Sequence, residues 1–410
     1  MQTSNSSSYP TKKVSINIVT IRGGGAHYAT YNALSSIIEQ KQLPWHLTMT
    51  DVDAIVEGLV EQKKVVDVYS KLFGTSAYEL YNKHVLKSGW TWFQPLMMYL
   101  NKVLIKLNHD VGVKIFEEYW REQQPDMVVS VAPMYNKGLW DSIQRAKPGT
   151  PVVSILTDFA DCPPAFWIEP QTGNHLVCAT EKAVEQARSS GIKEELITKS
   201  SGIVIHPRFY EPITSDRRIE RQSLGLDPDC LTGLVLFGGY GSNVMLEIAQ
   251  RLECFGQKLQ LIFICGRNEE LAQALRNSQG SSKRVVTTFT PDIPYYMHLA
   301  DFFIGKPGAC SISEALAMKL PVIVERNWST IINERYNTKW IQQKQVGIVI
   351  PNFRNIHKAV EQFLEPEKFA RYRANVAALN NKSVFEIPDI LQQILAQSYQ
   401  TTMAEPVEHK

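Results

Sequence analysis

Short apolar runs alternate along this chain with segments long enough to form helices. The first set is Val14-Ser-Ile-Asn-Ile-Val-Thr-Ile21, Leu47–Thr50, Met127–Val131, Val152–Leu156 and Leu176–Cys178. A second set runs Gly233–Phe237, Leu259–Ile264, Arg284–Thr288, Phe302–Ile304, Val322–Val324 and Val346–Val349. Near-continuous apolar runs suit strands whose sheet is covered on both faces, so the pattern predicts parallel sheets flanked by helices. Between the two sets the chain turns Pro-rich and charged, from His206-Pro-Arg through Asp227-Pro-Asp, which predicts a linker. The expected division is a flexible N-terminus (1–13), a first Rossmann-like domain (14–207), a linker (208–232), a second Rossmann-like domain (233–385) and a C-terminal helix and tail (386–410). The fold class is α/β: two doubly wound domains facing each other across a cleft at the carboxyl ends of their strands.

Composition narrows the function. The length of 410 residues suits about two domains. Lys and Arg total 43 against 41 Asp and Glu, a net charge of +2, so no strong field for nucleic acid is implied. The six cysteines show no C-x-x-C spacing, which favours reduced thiols over disulfides or a zinc site. The first ten residues are polar with no apolar signal core, and no apolar run reaches the ~18 residues of a membrane span. The expectation is a cytoplasmic protein, free or peripheral on a membrane surface.

The candidate chemistry concentrates in residues 301–325. A strand runs into Lys306-Pro-Gly-Ala-Cys-Ser311, a helix opens, and Glu314 follows one turn in. Free N–H groups and the helix dipole favour an anion there, and Glu314 stands where a carboxylate can accept both hydroxyls of a ribose. An ordinary βαβ unit with a chance glutamate is the plainer reading. Two glycine turns also follow strands. Gly23-Gly24-Gly25 leads to His27, whose imidazole suits taking a proton from a hydroxyl. Gly238-Gly239-Tyr240-Gly241-Ser242-Asn243 opens the second domain, where Ser242 or Asn243 also suits a plain helix cap. Neither completes a dinucleotide fingerprint or a P-loop. Arg267 and Phe289 end strands at the same rim, and Glu334 and Asn337, three apart, share a helical face suited to sugar hydroxyls. Asp51-Val52-Asp53 has a metal-binding form, but no metal is expected in so short a pattern. Residues 88–109 combine Trp90, Trp92, Phe93, Met97, Met98 and Tyr99 with Lys102 and Lys106, as an interfacial segment would, or a core helix with one wet face.

Together these motifs resemble the family 28 glycosyltransferases of the GT-B fold, specifically the monogalactosyldiacylglycerol synthases and more distantly MurG. The matching stretches, in order, are the His27 turn, Tyr81-Asn-Lys-His84, Thr157-Asp158 with Phe166-Trp167, the Gly238–Gly241 loop, Cys265–Asn268, and Lys306–Leu316 with Asn333, Glu334 and Asn337. The resemblance implies a UDP-hexose donor, no cofactor or metal, and a lipid acceptor, diacylglycerol first. It implies that Glu314 binds ribose. Gly308, Ala309, Cys310 and Ser311, with Gly239, Gly241 and Ser242, hold the diphosphate. Glu334 and Asn337 contact the hexose, and His27 is the general base of an inverting transfer. Two departures bear on the substrate. No histidine lies between Asp158 and Phe166, and the second glycine loop lacks the family's usual Gly-Met-Gly-Pro pattern. The alternatives are a UDP-sugar 2-epimerase-like isomerase, a transferase with a non-glycerolipid acceptor, or a UDP-sugar-binding protein without catalysis.

Overall fold

The computed structural model describes residues 13–22, 25–61 and 94–404. Gly23, Gly24, Tyr81–His84 and the aromatic stretch 88–93 lie outside the described residues.

Two all-parallel six-stranded sheets form the frame. In the first, β1 (Val14–Thr20), β2 (Trp45–Asp51), β3 (Met127–Ser130), β4 (Val152–Ile155), β5 (His175–Cys178) and β6 (Ile197–Lys199) take the order β2-β1-β3-β4-β5-β6. In the second, β7 (Leu231–Leu236), β8 (Leu259–Ile264), β9 (Arg284–Thr287), β10 (Phe302–Gly305), β11 (Val322–Glu325) and β12 (Gly347–Ile350) take the order β12-β11-β10-β7-β8-β9. All eleven apolar runs read from the sequence are strands. The unforeseen one is β6, three residues at a sheet edge, Ile-Thr-Lys, none of them fully buried. An edge strand with one neighbour needs no apolar run, so nothing marked it.

Alternation across the pleat divides the second lobe's core in two. Phe263 and Phe302 enter one buried cluster, whereas Ile262 and Phe303 enter the other on the opposite face. The linker is anchored by buried Arg221, which donates to the carbonyls of Leu299 (2.9 Å) and Pro228 (2.9 Å) and pairs with Asp301 at 2.8 Å. The chain then crosses back. Helix Ser383–Ala404 starts three residues before the expected 386 and lies on the first lobe, where Val384, Ile387, Leu391, Ile394 and Leu395 pack with Ile16, Ala33, Leu34 and Ile37.

The connectivity also locates the cleft. Successive connections diverge between β1 and β3 in one sheet and between β7 and β10 in the other, and ligands of open α/β sheets bind at such switch points. His27 follows β1; the Gly238–Gly241 and Pro307–Ser311 loops follow β7 and β10.

Since the C-terminal helix completes the first lobe's core, Leu391→Ala should cost about 2–5 kcal/mol. A lowered thermal-unfolding midpoint would bear this out, and an unmoved one would make the helix a peripheral attachment.

Candidate active site

His27 is the second residue of helix Ala26–Gln40, whose N-cap Gly25 makes no side-chain cap bond. Its Nδ1 lies 2.5 Å from the carbonyl oxygen of Val131, just past β3. A carbonyl only accepts, so Nδ1 carries the proton and Nε2 keeps its lone pair. Burial lowers the imidazole pKa to about 4, against a smaller upward pull from the Val131 bond, so the ring is neutral at physiological pH. The indole of Trp167 flanks it at 6.2 Å between ring centres.

The second lobe presents two helix N-termini. Helix Ala309–Ala317 begins after Gly308 with no side-chain cap, and helix Val244–Leu252 begins after Asn243 with none either. Ser242 Oγ takes only the Val244 N–H, at 3.4 Å, so the expected cap is weak. At the Val244 start the Met245 and Leu246 N–H groups turn back to Ser242 O (2.9 Å) and Asn243 O (3.0 Å), so it is the Ala309–Ser311 start that keeps its first amides for a ligand. The glycine loop is shaped by close approach. Gly241 has φ +62°, and a Cβ there would stand 2.6 Å from the Cys265 carbonyl; Gly266, at φ +60°, abuts the Gly239 backbone. The Arg267 N–H donates to Gly239 O at 2.9 Å, which locks the Gly238–Gly241 loop to the β8 rim. The Arg267 guanidinium stacks on Phe289 at 5.1 Å, and Phe289 remains 57% exposed, a flat cationic platform beside the loop.

Three carboxyl groups gather where the lobes meet. Burial raises Glu314 to about 7, tempered by Arg208, and Glu334 to about 7, tempered by Lys306 and reinforced by Asp158. Asp158 itself is raised to about 6 by burial, although Trp167 Nε1 donates to its Oδ2 at 3.0 Å and Asn333 Nδ2 to its Oδ1 at 3.4 Å. Burial and the negative charges of Glu314 and Asp158 push the Cys310 thiol far up, so it is no thiolate. Contacts thus run unbroken from His27 through Trp167 and Asp158 to Asn333, beside Glu334. A Cβ on Gly308 would stand 3.4 Å from both Glu334 Oε1 and Ser311 Oγ.

Asn337 makes a contact that its spacing did not show. It is fully buried; its Nδ2 donates to Pro307 O at 2.7 Å, and its Oδ1 has no partner. From there its Nδ2 braces the Pro307–Gly308 turn. Asp51 and Asp53 are also occupied: Asp51 accepts from Arg22 Nε (2.7 Å), Tyr28 (2.6 Å) and the Ala54 N–H (3.1 Å), and Asp53 from the Arg22 N–H (2.6 Å). Asp51 caps the start of the helix Val52–Glu61 and Asp53 ties Arg22 to it, and among the described residues no cluster of three metal-ligating side chains occurs. Asp158, Asn333 and Gln94 were given no role from the sequence. For Asp158 a signal existed, a carboxylate three residues past the end of the buried parallel strand β4.

Two facing Rossmann-like lobes, with uncapped helix starts on one and a buried histidine on the other, define the GT-B class. Solved structures agree on the fold: a putative UDP-N-acetylglucosamine 2-epimerase from Listeria monocytogenes (TM-score 0.59, 14% identity, 94% of this chain and 97% of that one) and Acinetobacter baumannii MurG (TM-score 0.57, 11%, 93% and 99%). At those identities they speak for fold alone. Residues 32–205 match the monogalactosyldiacylglycerol (MGDG) synthase family and residues 234–394 the glycosyltransferase family 28 C-terminal domain. The chain is a family 28 glycosyltransferase that resembles the monogalactosyldiacylglycerol synthases. Among relatives, it is 25% identical to a processive diacylglycerol beta-glucosyltransferase of Bacillus licheniformis over 74% of this chain and 79% of that protein. It is 27% identical to a probable monogalactosyldiacylglycerol synthase 2 of Oryza sativa subsp. japonica, over 64% of this chain but only 57% of that protein.

Replacing Asn337 by leucine keeps the volume but strands the Pro307 carbonyl. The variant should lose about 1–3 kcal/mol, measured as a reduced denaturation midpoint; no loss would deny the brace.

Proposed function

We propose that the protein transfers a hexose, galactose or glucose, from its UDP form to a lipid alcohol, diacylglycerol first, with inversion and without metal. The observation that carries this reading is His27: a neutral imidazole with its Nε2 lone pair available, in a chain whose second lobe faces it with two uncapped helix starts. The acceptor hydroxyl attacks the anomeric carbon and gives its proton to Nε2. The bond from that carbon to the diphosphate oxygen breaks, and UDP leaves with the electron pair. Amides at Gly308–Ser311 and Gly239–Ser242, with both helix dipoles, stabilise the departing charge. Glu314 takes the ribose hydroxyls, Arg267 and Phe289 flank the base, and Glu334 orients the hexose. Asn337 acts through the Pro307 turn.

The lipid side of the reading draws on helix Gln94–Leu107, which exposes Leu96, Tyr99 (65%) and Leu107 (77%) beside exposed Lys106. An apolar and basic surface suits a peripheral stand on a bilayer. No helix among the described residues is long and apolar enough to cross one. The printed names of the two relatives, both acting on diacylglycerol or named for its galactolipid, support the acceptor. The epimerase reading shares only the fold with this chain, whereas both family matches are to glycosyltransferases.

The test is a radiolabel assay with labelled UDP-galactose or UDP-glucose and diacylglycerol-containing liposomes, run with and without EDTA. Label in extracted lipid names the hexose, and EDTA should leave the rate unchanged. UDP binding without labelled lipid would move the reading to a soluble acceptor or to epimerisation. Glu314→Ala should weaken UDP binding by about 1.5–3 kcal/mol, seen by titration calorimetry. His27→Ala should leave UDP binding intact and cut transfer roughly 10²–10⁴-fold; wild-type turnover in that variant would remove His27 as base.

Protonation adds a second signature. Glu314 is raised to about 7, so the free protein holds its proton well above the usual carboxylate range, and gripping ribose hydroxyls with the ionised form must release it. UDP affinity should therefore weaken as pH falls below about 7, and Glu314→Gln should flatten that slope. His27, at about 4, adds no limb in this window.

A further inference from the structure

The turn Ile332–Glu334 belongs to the second lobe, yet three first-lobe residues hold it. Gln94, 2% exposed and first in helix Gln94–Leu107, accepts the Ile332 N–H on Oε1 at 2.8 Å and donates from Nε2 to Asn333 Oδ1 at 3.2 Å. Asn333 passes the chain on, donating from Nδ2 to Asp158 Oδ1 at 3.4 Å, and Cys162 Sγ donates to the Ile332 carbonyl at 3.2 Å. The Gln94 amide can face only one way, because the Ile332 N–H requires its oxygen. These bonds grip the residues immediately before Glu334. They are polar and individually modest, the kind of contact that breaks and reforms when a cleft opens and closes.

We propose that Gln94 is a positioning residue for the transfer: it clamps the Ile332–Glu334 turn to the first lobe, so that Glu334 meets the sugar only while the acceptor-side helix and the donor lobe are in register. The proposal deepens the functional reading above and rests on its assignment of Glu334 to the hexose. It also ties the helix with the exposed Leu96, Tyr99 and Leu107 directly to the donor lobe. A displacement of that helix on a lipid surface thereby reaches the sugar without passing through the nucleotide contacts at Glu314 or Arg267.

The experiment uses the full chain and compares wild type with Gln94→Ala and Gln94→Glu. UDP affinity is read by titration calorimetry, and kcat and KM with each UDP-hexose on diacylglycerol-containing liposomes. For Gln94→Ala the UDP Kd should stay within about twofold, kcat should fall roughly 10- to 100-fold, and the preference between UDP-glucose and UDP-galactose should narrow. Gln94→Glu retains an oxygen for the Ile332 N–H and should recover part of kcat. Asn333→Ala cuts the same clamp from the other lobe and must show the same split, which keeps the test valid if Gln94→Ala fails to fold. Unchanged kcat and hexose preference in either alanine variant would overturn the clamp, as would a proportional loss of UDP binding and turnover. A wild-type chain that binds no UDP would overturn the donor reading itself and this proposal with it.

Discussion

In an all-parallel sheet every strand ends at the same edge, and every helix that follows starts there. Both sheets of this protein obey that constraint, and the cleft chemistry depends on it. Helix starts are where backbone N–H groups lack partners, so the edge supplies anion-binding amides without any dedicated side chain. The switch between β7 and β10 parts two neighbouring loops, Gly238–Gly241 and Pro307–Ser311, and opens room between them. In the first lobe, the switch between β1 and β3 puts His27 against the Val131 carbonyl. One topological rule thus sets the donor amides on one wall and the histidine on the other.

The side chains in the cleft are held at an electrostatic cost that a bound ligand can relieve. Glu314, Glu334 and Asp158 are all raised by burial, and His27 is lowered by it. All four shifts favour the neutral form, the response of titratable groups kept from water. Hydroxyl donors from a sugar nucleotide would favour the charged carboxylates. The neutral imidazole, with its tautomer set by a carbonyl, already has the form a base requires.

Most of the architecture was legible in the chain. The inner strands stood out because a doubly covered parallel strand must be apolar along its length; the edge strands β2, β9 and β12 kept enough apolar residues to show, and β6, three residues long, did not. The glycine turns and the Pro307–Ser311 helix start were legible because backbone approach demands particular residues. Side-chain roles were less so. Asn337 reads from its spacing as a sugar ligand, and nothing in that spacing shows its bond to Pro307 O. Helical spacing tells which residues share a face, and it says nothing of what that face meets.

By itself, then, the sequence determined the strands, the helix starts and the family, since each depends on local composition or on short motifs. Only the tertiary structure decided which residues meet from afar: His27 with Val131, Asp158 with Asn333, Gln94 with the Ile332 turn, and the C-terminal helix with the first lobe. Gln94 and Asn333 stand 239 positions apart in the chain. A polar side chain carries no trace in its neighbours of so distant a partner, because a hydrogen bond depends on position in space and not on local pattern.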